Sequence, residues 1–303
     1  MALTFLEMQD ETLALIDSDD TDTRTHVKNF LNRSANEIWR AWPARERRKE
    51  AILSTLAPYS TGTVSISVAS STVTGSGTTF PSTYTTGLAK FATGYAAPWY
   101  YVATRDSGTQ LTLAGTSIWA DAALSGSTYA LWQDTYNLES DVDTLIEVRL
   151  LSTGNDGPIA ITSEARLDEV AYHPRWSGFP RACAMVPQSS AGLKRIRIWP
   201  APDATYRLSY RYLKAYTDMS ADGDECVVPE EWRDIIVCGA LRWAYRLKGQ
   251  YQKAIQEDGR FRQSLRDVMK GAADVSPLPG RIRGFDEPSR TRDRWDYSSI
   301  VLS

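Results

Sequence analysis

The sequence predicts an α+β protein: a helical bundle with antiparallel β-strands, carrying an inserted small all-β module (a barrel or sandwich) and ending in an extended C-terminal tail. Three observations predict it. Apolar residues recur at helical spacing near both ends, period-two strands fill the middle, and the last stretch is rich in proline, glycine and charge. The chain has 303 residues, room for roughly two domains. Its 42% apolar and 23% charged residues are the usage of a globular protein with a real core. The expected division is a discontinuous α+β core of residues 1–57 and 138–275, an inserted β module at 58–137 and a tail at 276–303.

Each element has a local reason. Leu6, Leu13 and Ile16 lie near one side of a short first helix. In the second helix Val27, Leu31, Ala35, Ile38 and Trp42 recur at helical spacing, Thr21 or Asp22 is placed to cap it, and Pro43 ends it. The basic run "RERRKE" at 45–50 then gives way to a strand and a turn in "AILSTLAPY". From Thr61 the pattern changes. Val64, Ile66 and Val68 alternate with Thr63, Ser65 and Ser67, so one face is buried and the other wet. Gly75 and Gly77 punctuate, and "WYYVAT", "TQLTLAG" and "STYALWQ" follow as short strands. Helical sequence on both sides marks this unit as an insertion.

Strands resume with "TLIEVRLLST" and "GPIAITS", and "EARLDEVA" reads as a short helix. "RACAMVPQ", "LKRIRIWPAP" and "ATYRLSYRYLKAY" are further strands, and "PAPDAT" is a hairpin connection between the last two. In the last strand Tyr206, Leu208, Tyr210 and Tyr212 share one face, and Arg207, Ser209 and Arg211 the other. The long C-terminal helix opens at "VPEEW" with Pro229 in its first position. Trp232, Ile235, Ile236, Leu241, Ala244 and Tyr245 form its apolar stripe. Gly249 breaks it, and a polar helical segment runs to about Lys270.

Composition also bounds function. A formal charge of −3 argues against a protein that grips nucleic acid electrostatically, though not against one that lets DNA pass. Cys183, Cys226 and Cys238 form no CxxC pair, as expected of buried thiols in a reducing cytosol. The N-terminus lacks the basic head and apolar run of a signal peptide, and no run of 18 apolar residues is present, so no membrane partner is expected and folding in a cytoplasm is. "GSGTTF" lacks a phosphate-binding lysine, His26 and His173 have no zinc spacing, and no GxSxG elbow occurs. The expectation is therefore no enzyme: no catalytic residue, no cofactor and no metal.

Interaction surfaces remain. Arg45, Arg47, Arg48 and Lys49 read either as a wet surface or as a subunit-interface or partner surface facing acidic groups. The acidic run "DSDDTDT", with its candidate positions 18 to 20 (Ser18, Asp19 and Asp20), reads as a solvated capping loop or as a channel lining that repels DNA. The tail "RWDYSSIVLS" is more apolar than disordered segments usually are, so it packs back on its own domain or docks on a neighbour. Two other function classes are kept. In one, Trp99, Tyr100 and Tyr101 of the β module form a glycan-binding, host-attachment face. In the other, paired acids such as Asp141 and Asp143 hydrolyse a polymer.

Taken in order, "TFLEMQDETLALID" with "DTDTRTHVKNFLNRSANEIW", "APYSTGTVSISVASSTVTGSGTTF", "RIWPAPDATYRLSYRYLKAY" and "VPEEWRDIIVCGALRWAY" resemble the head-to-tail adaptor (connector, neck) proteins of tailed bacteriophages. The likeness touches roughly two-thirds of the chain. "ARERRK" after Trp42 and the long tail after Gly271 depart from it. The resemblance implies a structural virion protein of the head-tail neck, assembled in the host cytoplasm. It implies a homo-oligomeric ring, commonly a dodecamer, between a portal protein and a downstream tail or neck protein, with genomic DNA passing through without sequence-specific contacts. In such a role the tail could reach the portal, with Arg290, Arg292, Arg294, Trp295, Tyr297 and Ile300 as its expected contacts.

Overall fold

A computed structural model describes residues 4–274, except 19, 94–97, 116–118, 120, 121, 152–156, 171–176 and 190. Helices α1 (Phe5–Leu15) and α2 (Thr21–Ala41) lead into strand β1 (Arg48–Ser54). The strands β2 (Thr63–Ile66), β3 (Thr72–Ser76), β4 (Lys90–Ala92), β5 (Tyr100–Arg105), β6 (Gln110–Leu113), β7 (Leu124–Ser127) and β8 (Ala130–Trp132) follow. Next come β9 (Thr135–Asn137), β10 (Val142–Leu151), β11 (Gly157–Thr162), α3 (Glu164–Val170), β12 (Ser177–Gly178) and β13 (Ala182–Val186). The chain continues through β14 (Arg195–Trp199), β15 (Ala201–Pro202) and β16 (Arg207–Lys214). A 3-10 turn at Glu230–Trp232 then precedes α4 (Arg233–Leu247) and α5 (Tyr251–Asp274). The architecture is mixed α+β and mostly β, so the helices accompany sheets rather than making the whole core a bundle.

The helices share one core. On α1 the buried positions are Phe5, Met8, Gln9, Thr12 and Leu13, a helical repeat that turns Leu6 to solvent, contrary to its expected place in the stripe. Thr4 and Glu7 close a capping box, and the free N–H groups of Phe5 and Leu6 donate to the carbonyls of Asp224 and Asp222. Asp20, not Thr21 or Asp22, caps α2: its carboxylate accepts from the Thr23 backbone N–H and hydroxyl. Val27, Leu31, Ala35 and Ile38 of α2 meet Ile236, Val237, Ala240 and Ala244 of α4. Pro229 precedes the 3-10 turn, so α4 proper starts later than "VPEEW" suggests. Gly249, at φ +70°, supplies the left-handed residue that separates α4 from α5. Arg242 is the polar tie of the group. Its guanidinium is nearly buried, donates to Glu37 of α2 and to Asp258 of α5, and lies over the Phe261 ring.

β1 belongs to a seven-stranded sheet of order β1-β16-β10-β11-β13-β14-β9. β11 and β13 pair in parallel, and α3 lies in the connection such a pair requires. One core takes side chains from both edges, Leu53 of β1 and Tyr136 of β9. The inward residues of β16 are Leu208, Tyr210 and Tyr212, with Arg207 and Arg211 outside, as the alternation predicts. Ser209 shares the outer face but is buried there, donating its hydroxyl to Glu50 of β1. The expected hairpin at "PAPDAT" is absent. β14 sits between β13 and β9, and β16 between β1 and β10, because β15 pairs with β12 instead and carries the chain across. Trp39 donates to the Lys214 carbonyl, and Asn32 bonds both Met219 and Tyr216, which fastens α2 to the segment leaving this sheet.

A second seven-stranded sheet, β7-β2-β3-β6-β5-β4-β8, is antiparallel throughout and surrounds Phe80, Phe91, Trp119, Tyr129 and aliphatic neighbours. The Thr- and Ser-rich stretch is its β2–β3 hairpin. Val64 and Ile66 are buried, whereas Val68 has left the strand for the turn and is exposed. The chain flanking this sheet is strand rather than helix, β1 before it and β9 after it.

Two measurements test this packing. A Cβ on Gly239 of α4 would lie 2.7 Å from the Phe261 ring and 2.8 Å from Ser34 Oγ, so Gly239→Val should destabilise by about 1–3 kcal/mol. Gly259 of α5 has open space around it, and Gly259→Ala should stabilise by roughly 0.5–1 kcal/mol in the same urea titration. Burial pushes the Cys183 thiol up to about 12 and raises Tyr136 well above its ordinary 10.0. The fold holds both protons more tightly than the open chain. Their contribution is intact below the ordinary thiol value of 9.0 and should be lost progressively as pH climbs from there to the folded value of about 12, seen as a falling urea midpoint.

Candidate functional site

The two sheets meet around a cleft of about 590 Å³. One side of the junction is apolar: Ala92 and Trp132 bury against Ala201, with Trp99 and Ala130 beside them. The other side is polar and begins with Lys90. Phe91 must point into the module core, so the strand alternation sends Lys90 to the opposite face of β4. There its ammonium donates to Asp134 Oδ2 at 2.6 Å, with both side chains almost wholly buried. Thr135 donates to the other carboxylate oxygen at 2.9 Å. Desolvation depresses the Lys90 ammonium below its ordinary value, and Asp134 opposes that shift.

Arg197 of β14 extends the network. Its Nε lies 3.7 Å from Asp134, and its Nη1 donates to Asp168 of α3 at 2.5 Å. Arg195, two residues earlier on the same face, donates through Nε to Asn137 at 3.0 Å. Trp99 and Tyr101 stand edge to face with centroids 4.9 Å apart, and the Lys90 ammonium lies 4.6 Å from the Trp99 ring. Tyr100 points the other way, tilted against Trp119 of the second sheet's core, so the three aromatics do not make one face as the sequence suggests. The sequence reading missed Lys90, Asp134 and Arg197. A lysine inside the apolar "LAKFA" was the available signal.

The predicted surface residues lie elsewhere. Arg45 pairs with Glu46 at 2.8 Å, and Arg47 donates to the Trp42 carbonyl at 3.2 Å. Arg48 and Lys49 open β1, an edge strand of the first sheet. Lys49 reaches Asp141, which also accepts from Tyr212, and these partners raise the Lys49 value. Asp143 is held by Lys194 instead, so Asp141 and Asp143 each have their own cation. Position 18 is a serine and brings no charge. It adjoins a shallow depression beside the Arg24–Asp10 ion pair, while Asp20 caps α2 and Asp19 lies outside the described residues. His26 is exposed and stacks on Phe30; His173 lies outside the described residues, as do Arg290, Arg292, Arg294, Trp295, Tyr297 and Ile300. Among the described residues no group of three or more His, Cys, Asp or Glu is placed to hold a metal ion, and no helix is long and apolar enough to cross a membrane.

The buried pair gives a test. Asp134→Ala leaves Lys90 buried without its carboxylate and should cost about 3–5 kcal/mol, whereas Lys90→Met with Asp134→Leu should cost much less. A lysine depressed in the fold takes up its proton on unfolding. The single variant should therefore regain stability as pH rises from neutral toward the ordinary lysine value of 10.5, read as a rising urea midpoint.

The family model described as SU10 adaptor protein matches residues 121–283, over half of the chain. That span runs from β7 to beyond α5 and takes in Asp134, Asp168, Arg195 and Arg197. No curated protein matches the chain.

Proposed function

Because this chain belongs to the SU10 adaptor protein family, a phage head-tail adaptor family, we propose that it forms a ring in the neck of the virion, between the portal and the next tail protein, with the genome passing through. A structural adaptor role in a phage particle is the premise; the ring, its neighbours and the channel are the proposal. The match over residues 121–283 is the observation that carries it.

Two features support the finer reading. A ring closes through two different surfaces of each subunit, and it needs apolar area left open on the free chain. Leu247, Tyr251 and Ile255 provide such area around the α4–α5 bend, all at least half exposed. The tail carries Arg290, Arg292 and Arg294 beside Trp295, Tyr297 and Ile300, a set suited to apolar and charge-assisted contacts with the portal. Arg45, Arg47, Arg48 and Lys49 remain candidates for a subunit or partner contact, and Asp19 and Asp20 for an acidic lining; twelve subunits is the number the resemblance implies.

Residues 58–137 would then be a module inserted into a core of 1–57 and 138–275, with its last three residues, β9, pairing into the core's own sheet. In support, one aromatic core draws only on residues within 59–131, while α1 and α2 pack on α4, and β1 pairs with β16, across the interruption.

Removing residues 276–303 should leave a folded chain that no longer binds purified portal protein in a co-sedimentation assay. Ile255→Glu should keep the monomer's melting curve but lower ring yield on portal at least tenfold by electron microscopy. Unchanged portal binding by the truncation would remove the tail from the proposal.

A further inference from the structure

We propose that the cleft between the two sheets is a saccharide-binding site that takes a neutral, hydroxyl-bearing sugar ring against Trp99 and Tyr101. The inference goes beyond the adaptor role and rests on other residues than those proposed for the ring or the portal.

The size is right: about 590 Å³ falls within the roughly 300–1,000 Å³ of small-molecule sites. So is the balance of charge. Lys90, Arg195 and Arg197 face Asp134, Glu164 and Asp168, three cations against three carboxylates, so the cleft favours neither an anion nor a cation. Lys90 and Arg197 are already engaged by Asp134 and Asp168. Among the described residues, the remaining Arg195 N–H groups and the Glu164 carboxylate are left as donors and acceptor for a ligand, a pairing that hydroxyl groups satisfy in both directions. Tyr101 is 40% exposed, and with Trp99 it offers an apolar surface for the C–H face of a sugar ring.

The walls are fixed before any ligand arrives. Trp99 is held against Tyr101 and the Lys90 ammonium, and Lys90 is locked by Asp134 and the sheet. Preorganisation of this kind lowers the ordering cost of binding. The cleft also differs from the flat aromatic face drawn from the sequence. Half of its polar groups come from β14 and α3, outside the Thr-rich module, so a binding experiment on the isolated module lacks half the site.

The experiment uses the full chain. Isothermal titration calorimetry with maltohexaose, cellohexaose, chitohexaose and a galacturonate hexamer should give a heat of binding with at least one neutral hexasaccharide and none with the galacturonate. Trp99→Ala should weaken that binding at least tenfold, as should Arg195→Gln, whose side chain bears on no core. Tyr251→Ala, on α5, should leave it unchanged. Melting curves identify any variant that fails to fold, and Arg195→Gln with Glu164→Gln then carries the test. No heat with any neutral sugar in the panel overturns the proposal, as does equal affinity in wild type and a folded Trp99→Ala. Portal co-sedimentation on the same preparations reads the adaptor role separately.

Discussion

The structure depends on the closure of the chain's first segment onto its distant C-terminal half. β1 adds an edge to the first sheet through β16, and α2 lies on α4 and holds residues 214–219 through Trp39 and Asn32. Neither piece has a sufficient partner nearby in sequence. β1 has no hairpin mate, and the buried stripe of α2 needs Ile236 and Ala240 to cover it. Such contacts carry the entropic cost of closing a long loop and slow folding. Gly239 marks a close approach within this helical group, where α4 comes against Phe261 and Ser34 with no room for a side chain.

Charge is handled differently inside this protein and on its surface. Arg242 among the helices and Lys90 between the sheets are both withdrawn from water, and each meets carboxylates from other elements. Buried pairs add little net stability compared with apolar substitutes, but losing one partner is costly. Outside, Glu50, Arg211, Glu147 and Arg149 alternate across β1, β16 and β10 in exposed pairs that contribute little individually. The same charged rows discourage other strands from joining the open edge at β1.

Local rules made much of this legible. The buried faces of α2 and β16 follow from period alone, because each is amphipathic and its neighbours impose no other choice. The short helix at Glu164–Val170 and the break at Gly249 were equally readable. What failed was non-local. Leu6 looked apolar enough for the core, yet the register of α1 is set by Phe5 and Met8. "PAPDAT" has hairpin chemistry, but pairing partners are chosen across the whole sheet, and β15 takes a different one. The cleft was half legible. Trp99 and Tyr101 stood out as aromatics, while Lys90, Asp134 and Arg197 are separated by 107 positions from first to last and converge only when both sheets are built.

The two connections of the second sheet run side by side: Tyr59 and Leu131 exchange both backbone hydrogen bonds, at 2.8 and 2.9 Å. Entry and exit points that adjoin one another are the geometry that tolerates grafting. A foreign cassette spliced at these positions would inherit a ready-made collar, and the scaffold would fold around a gap no wider than one strand pair. Freedom to replace what lies between Tyr59 and Leu131 while the rest of the scaffold keeps its own contacts is what this single bridge confers.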